Sequence, residues 1–160
     1  SDEFTAFHLK FMEKQIKGND GWQQIISSSA FQAWNGYAYE GVCIKHIHAL
    51  KRKLGISGVY TEQSSWRLRG SKINNGTQID LLIDRRDRCI NLCEIKFSTD
   101  VFEINKSYAN VLDLKKRTFK SYTKTNKTVF TTLVTTFGVK PNQYKIQQVD
   151  SEVTLDDLFH

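Results

Sequence analysis

The chain has 160 residues, 39% hydrophobic and 12% aromatic, with 23 Lys and Arg against 17 Asp and Glu. That length and apolar content support one packed globular domain and argue against disorder. No apolar run approaches the roughly 18 residues a membrane helix needs, and the amino terminus lacks the basic-then-apolar order of a secretory signal, so a cytoplasmic chain is expected. The basic excess suits a polyanionic partner such as nucleic acid, although a solvated surface accounts for it equally well. Three cysteines are too few and too odd a number for a disulfide framework.

The chain begins Ser1-Asp2-Glu3 and holds one Met, Met12, which suggests a piece of a longer protein. Residues 2–17 mix Phe4, Phe7, Leu9, Phe11 and Met12 too closely for a period to separate helix from strand, and residues 1–30 as a whole are expected to form a packing arm. From Phe31 to Leu54 the spacing predicts a helix with Tyr37, Cys43, Ile44, Ile47, Leu50 and Leu54 on one side and Gly55 as its stop. Residues 58–68 read as a strand and 71–76 as a turn. Strands over about 77–84 and 89–97 flank the hydrophilic turn at 85–88.

A basic amphipathic helix is predicted over about 103–123 from Tyr108, Val111, Leu112, Lys115 and Phe119. Residues 128–138 read as a buried strand, and 144–149 as a further strand. Thr154 with Asp157 three residues on has the form of a capping box, so a short helix should close the chain. The expected architecture is a single α/β domain over 1–160, with an arm at 1–30, an αβββαβ core at 31–137 and a trailing strand and helix at 138–160.

Charges interrupt this apolar plan. Alternation along the strand at 89–97 puts Ile90, Leu92, Glu94 and Lys96 on one face and Cys93, Ile95 and Phe97 on the other. Both faces are largely apolar, as in a central strand, where a buried charge costs several kcal/mol unless it is paired or bound to a metal. On the preceding strand Ile79, Leu81 and Ile83 share a face and Asp80 takes the alternate one. Pairing through the turn would bring Asp80 opposite Glu94. Two close carboxylates repel, and a divalent cation is the common remedy. Glu40 lies in the middle of the expected apolar helix stripe, about 40° from Ile44 and about 20° from Ile47.

Glu40 on a helix, then Asp80 and Glu94-x-Lys96 on consecutive strands within αβββαβ, resembles the PD-(D/E)xK nuclease superfamily over about residues 31–137. Ile79 stands where the superfamily's name has proline, a position many members also vary. More narrowly, "GYAYEGVCIKHI", "GVYTEQSSW", "GTQIDLLIDR" and "INLCEIKFS" look like the C-terminal nuclease-like domain of prokaryotic ATPases of the AAA superfamily. The chain itself has no GxxxxGK[ST] phosphate loop, so that resemblance implies an upstream ATPase domain.

The resemblance implies a restriction-endonuclease-like fold and Mg²⁺- or Mn²⁺-dependent hydrolysis of DNA phosphodiester bonds. Asp80, Glu94 and the Ile95 backbone carbonyl would be metal ligands. Glu40 would hold a metal-bound water or a second ion, and Lys96 would orient the attacking water. Lys115, Lys116, Arg117 and Lys120, with Lys106 and Lys124, could grip a DNA backbone, although a solvated helix face explains most of them. DNA, the ATPase domain and a second copy of the chain are the candidate partners.

Gln78 reads as a satisfied core amide. His46 and His48, about 200° apart on a helix, cannot chelate one ion together. Cys89 and Cys93, about 13 Å apart along a strand, cannot share one zinc. The competing expectation is a catalytically silent nuclease-fold module that binds nucleic acid, a partner or its own ATPase.

Overall fold

The computed structural model describes residues 28–71 and 76–160, so most of the expected arm lies outside the described residues. Two compact units meet in sequence at Lys45 and His46.

The N-terminal unit is described through α1 (Ser29–Lys45). Its buried residues are Tyr39 and Cys43, four apart and therefore on one face. Tyr37 and Ile44, both expected on the buried stripe, are 73% and 55% exposed. The expected helix does not run unbroken to Leu54. His46, at φ −101° and ψ 31°, separates α1 from α2 (Ile47–Lys53), so a single helical wheel loses its phase there. Glu40 is half-buried beside Tyr39 on α1.

In the second unit α2 stops as its sequence predicts. Gly55 adopts φ +71°, its N–H donates to the Arg52 carbonyl, and the Ile56 N–H donates to Lys51. This paired closure of a helix end requires the left-handed conformation that glycine adopts without steric cost.

The unit is α/β, with a five-stranded mixed sheet in the order β1-β2-β3-β4-β5. The strands are β1 (Thr61–Leu68), β2 (Thr77–Arg85), β3 (Cys89–Lys96), β4 (Thr128–Thr135) and β5 (Ser151–Thr154). β1, β2 and β3 pair antiparallel, and β3, β4 and β5 pair parallel. A three-residue turn joins β2 to β3, with Arg88 at φ +65° where such loops need a left-handed residue. Arg85 braces the turn by donating to Asp87 and Asn91.

α3 (Lys106–Thr123) carries the chain from β3 to β4. It begins at Asn105, whose side chain accepts from the Tyr108 N–H at 2.8 Å. The helix buries Ala109, Leu112 and Phe119, while Val111, expected among them, is 41% exposed. Phe119 joins Leu82, Ile90, Leu92, Ile79 and Val129 in one cluster against Trp66. Leu112 joins Leu133, Ile104 and Val139 in another. Leu81, Ile83, Cys93, Ile95 and Val134, on the other face of the sheet, are also buried, so β3 has the two-sided cover expected of a central strand.

The expected strand at 144–149 is a helix, α4 (Gln143–Gln148). Asn142 caps it by accepting from the Lys145 N–H, Ile146 is 82% exposed, and Tyr144 and Val149 pack against the Leu112 cluster from the helix and its end rather than from a strand. The strand is instead β5, four residues with only Val153 buried, too short to carry an alternation signal. Thr154 then forms the predicted capping box with Asp157 and starts α5 (Leu155–Phe159).

Candidate functional site

The β2–β3 ladder ends at Leu81 opposite Cys93, which leaves the last residues of β3 without backbone partners on that side. Asp80 fills the gap with its side chain. Its Oδ2 accepts from the Ile95 N–H at 2.9 Å. Along an extended strand a residue's N–H and C=O face the same neighbour, so the Ile95 carbonyl is directed toward the Asp80 side as well.

A bulge in β2 explains this placement. Ser64 of β1 faces Leu82, and Trp66 faces Ile79, so two steps on β1 span three on β2. The additional residue falls at Asp80–Leu81, opposite Ser65. A bulge of this kind shifts which side chains share a face and re-aims the ones inside it. Ile79 accordingly belongs to the cluster of Leu82, Ile90 and Leu92 rather than to the face of Leu81 and Ile83 where strict alternation puts it. Gln78, beyond the bulge, is exposed rather than a core amide.

Glu94 is next to Asp80 and only 3% exposed. Its Oε2 accepts from Lys115 Nζ of α3 at 2.7 Å. Its Oε1 is buried and has no hydrogen-bond partner among the described residues. Burial pushes the carboxyl up to about 6, against the pull of Lys115 and Lys96, and the negative charge of Asp80 adds to the rise. A buried unpaired carboxylate oxygen costs on the order of 1–3 kcal/mol, which makes it unusual in a region serving packing alone.

Lys96 is half-buried and has no ion-pair partner among the described residues. Its Nζ lies 5.3 Å from the centre of the Tyr108 ring, a cation–π distance. The ring is held from another side by Phe102, edge-on at 5.2 Å. The Tyr108 hydroxyl is a second buried polar atom without a partner among the described residues. Burial raises its pKa, and the charges of Glu94 and Asp80 raise it further. The second unit therefore gathers Asp80, Glu94, Lys96, Lys115 and Tyr108 at the end of β3, with two unpaired oxygens.

Glu40 belongs to the N-terminal unit. Near it Cys43 is buried and its thiol is pushed up to about 12, chiefly by that burial, with the Glu40 charge contributing. Among the described residues no three His, Cys, Asp or Glu side chains form a metal-holding group, so the second unit offers two carboxylates rather than three. Of the basic residues expected to contact DNA, Lys115 is engaged by Glu94, Lys116 by Asp150 at 3.3 Å and Arg117 by Asp113 at 2.8 Å. Lys120 has no ion pair among the described residues.

The sequence placed Tyr108 and Lys115 on one helical stripe, but it gave Tyr108 no functional role and offered Lys115 as one of six basic residues that could grip DNA rather than as a partner of Glu94. Their spacing of seven residues, two helical turns, is the signal that both face the same strand.

No helix among the described residues is long and apolar enough to cross a membrane. No protein-family model matches the chain, and no curated protein matches it. A crystal structure described as "Protein of Unknown Function AF1548" is similar at 13% identity with a TM-score of 0.49, a likeness too low to carry an argument. The match covers 73% of this chain and 64% of that one, so this chain spans less than two thirds of its neighbour's length.

Proposed function

We propose that this chain is a metal-dependent nuclease domain that hydrolyses DNA phosphodiester bonds. One observation carries the reading. At the point where β2 leaves β3, Asp80 binds the Ile95 amide and Glu94 buries an oxygen that no described residue satisfies. Glu94 Oε1, Asp80 and the Ile95 carbonyl form a hard-oxygen donor set that fits Mg²⁺ or Mn²⁺ and does not suit zinc. When bound, such an ion would lower the pKa of the attacking water and offset charge on the phosphate.

The chain's own residues supply the rest. The Ile95 N–H fixes Asp80 at the strand end. Lys96, without a carboxylate partner among the described residues and seated over Tyr108, orients the attacking water and meets the negative charge that develops on the phosphoryl oxygens. Lys115 anchors Glu94 through Oε2 and leaves Oε1 for a ligand. The resemblance to ATPase-linked domains extends the proposal to a cytoplasmic protein working with an ATPase domain.

The test is Mg²⁺- or Mn²⁺-dependent cleavage of single-stranded, duplex and branched DNA by wild type and Lys96→Ala. Wild-type cleavage that EDTA abolishes and Lys96→Ala reduces at least about 100-fold is expected. Cleavage absent from both proteins, or equal in both, defeats the proposal. A second reading, a silent module, is favoured by the Glu94–Lys115 pair, which already neutralises one buried charge in the manner of a structural salt bridge. Under that reading DNA binding persists without cleavage.

A further inference from the structure

The hairpin between β1 and β2 encloses a cleft of about 500 Å³ lined by Arg67, Arg69, Gly70, Gly76, Thr77 and Gln78, with Leu68. No acidic residue lines it among the described residues. Arg67 and Arg69 are exposed and make no ion pair among the described residues. Elsewhere in this unit Arg85, Lys115, Lys116, Arg117, Lys127 and Lys145 each face a carboxylate. Two guanidiniums that no described residue compensates leave the charge of the cleft open to an anionic ligand. Gln78 pairs with Arg67 across the two strands and adds an amide donor beside it.

The backbone around the cleft is close-built. A Cβ at Gly76 would come within 3.1 Å of both the Gly70 nitrogen and the Leu68 carbonyl, so only glycine lets the two legs of the hairpin approach there. The position matters as much as the charge. The cleft joins the last residues of β1 to the first of β2, the end of the sheet where β3 finishes at Glu94–Lys96. Asp80 is two residues beyond Gln78, about 7 Å along the strand. A volume of this size also exceeds what one inorganic phosphate fills, since a water occupies only about 30 Å³.

We infer that this cleft is a phosphate-backbone site, in which Arg67, Arg69 and Gln78 grip the nucleic-acid strand presented to the Asp80–Glu94 site. The inference rests on the nuclease reading for its substrate. Its test does not depend on cleavage.

Labelled single-stranded and duplex oligonucleotides are titrated by fluorescence anisotropy in EDTA over a range of salt concentrations, with wild type, Arg67→Gln/Arg69→Gln, Arg67→Lys/Arg69→Lys and the control Lys51→Gln/Arg52→Gln. Each phosphate contact contributes about −0.7 to the log–log salt slope for single strands and about −0.9 for duplex. The glutamine pair should flatten the slope by about 1.4 to 1.8 and weaken binding at least about tenfold at low salt. The lysine pair should keep most of the slope, and the control should leave it unchanged. Circular dichroism confirms that each variant is folded.

A folded glutamine pair with the wild-type slope overturns the inference, as does a control that flattens it equally. Wild type that binds no oligonucleotide overturns it too. Saturation of the cleft by inorganic phosphate at the same concentrations as oligonucleotide assigns it to a free anion and overturns it as well. Failure of the two readings is distinguishable. Metal-dependent cleavage with a slope indifferent to Arg67 and Arg69 removes the cleft and keeps the nuclease. A cleft-dependent slope without cleavage in any metal removes the nuclease and keeps a nucleic-acid site.

Discussion

Replacing Glu94 with Gln should stabilise the metal-free protein at neutral pH. The carboxyl is raised from 4.5 to about 6, chiefly by burial, and its side chain is only 4% exposed, so solvent screening barely reduces the effect. Between those two values the folded chain holds more protons than the unfolded one, and stability therefore falls as pH rises through that window. At 1.36 kcal/mol per pKa unit, the ionised group costs about 2 kcal/mol above pH 7 and under about 0.3 kcal/mol at pH 4. Gln keeps the shape, still accepts from Lys115 and carries no charge. The gain from Glu94→Gln should be about 2 kcal/mol at pH 8, or about 4–8 °C in Tm for a chain of this size, and close to nothing at pH 4. Urea unfolding in EDTA at a series of pH values reads this directly. A gain independent of pH, or a loss at pH 8, would refute the account of Glu94 as a strained carboxylate.

Magnesium should stabilise wild type by about 2.7 kcal/mol at 100 times its Kd and leave Glu94→Gln nearly unmoved, which thermal unfolding against Mg²⁺ concentration will show. Tyr108→Phe removes a buried hydroxyl without a partner among the described residues, so metal-free stability should rise by up to about 1 kcal/mol while cleavage falls; lower stability would mean that the hydroxyl is satisfied in solution. Lys115→Met leaves Glu94 without its cation and should cost about 3 kcal/mol at pH 8 and much less at pH 5, where Glu94 takes up a proton; an equal cost at both values would point to lost packing. Asp157→Ala breaks the α5 capping box and should cost about 1 kcal/mol. Burial raises the Asp157 carboxyl, but bonds from Thr154 and Lys53 outweigh it and hold the pKa below its ordinary value, so this contribution is present above the ordinary carboxylate pKa and disappears as pH falls through the lowered one. Equal urea midpoints for Asp157→Ala and wild type at pH 7 would contradict it.

What the sequence disclosed and what it hid divide along a physical line. Glu94 and Lys96 were legible because their strand is apolar on both faces, and a charge in such a run declares its own cost. The capping box and the Gly55 stop were legible because each is a local rule about two or three residues. The bulge at Asp80–Leu81 was not, since it exists only as a mismatch between β1 and β2, and no property of β2 alone records it. The same mismatch moves Ile79 into the cluster under α3 and places Asp80 where it can take the Ile95 amide. The roles of Lys115 and Tyr108 were hidden for a related reason. The helical stripe grouped Lys115 with Tyr108, but nothing local to the helix named its partner, and Lys115 meets the one carboxylate that is buried among the described residues. The wheel through Glu40 departed from the structure already within α1, where Tyr37 and Ile44 are exposed and Tyr39 and Cys43 are buried, and its phase was then carried through His46 as if the helix were unbroken. A site assembled where a ladder stops thus has two kinds of residue: those whose burial is costly enough to read in one strand, and those selected only by the register of its neighbours.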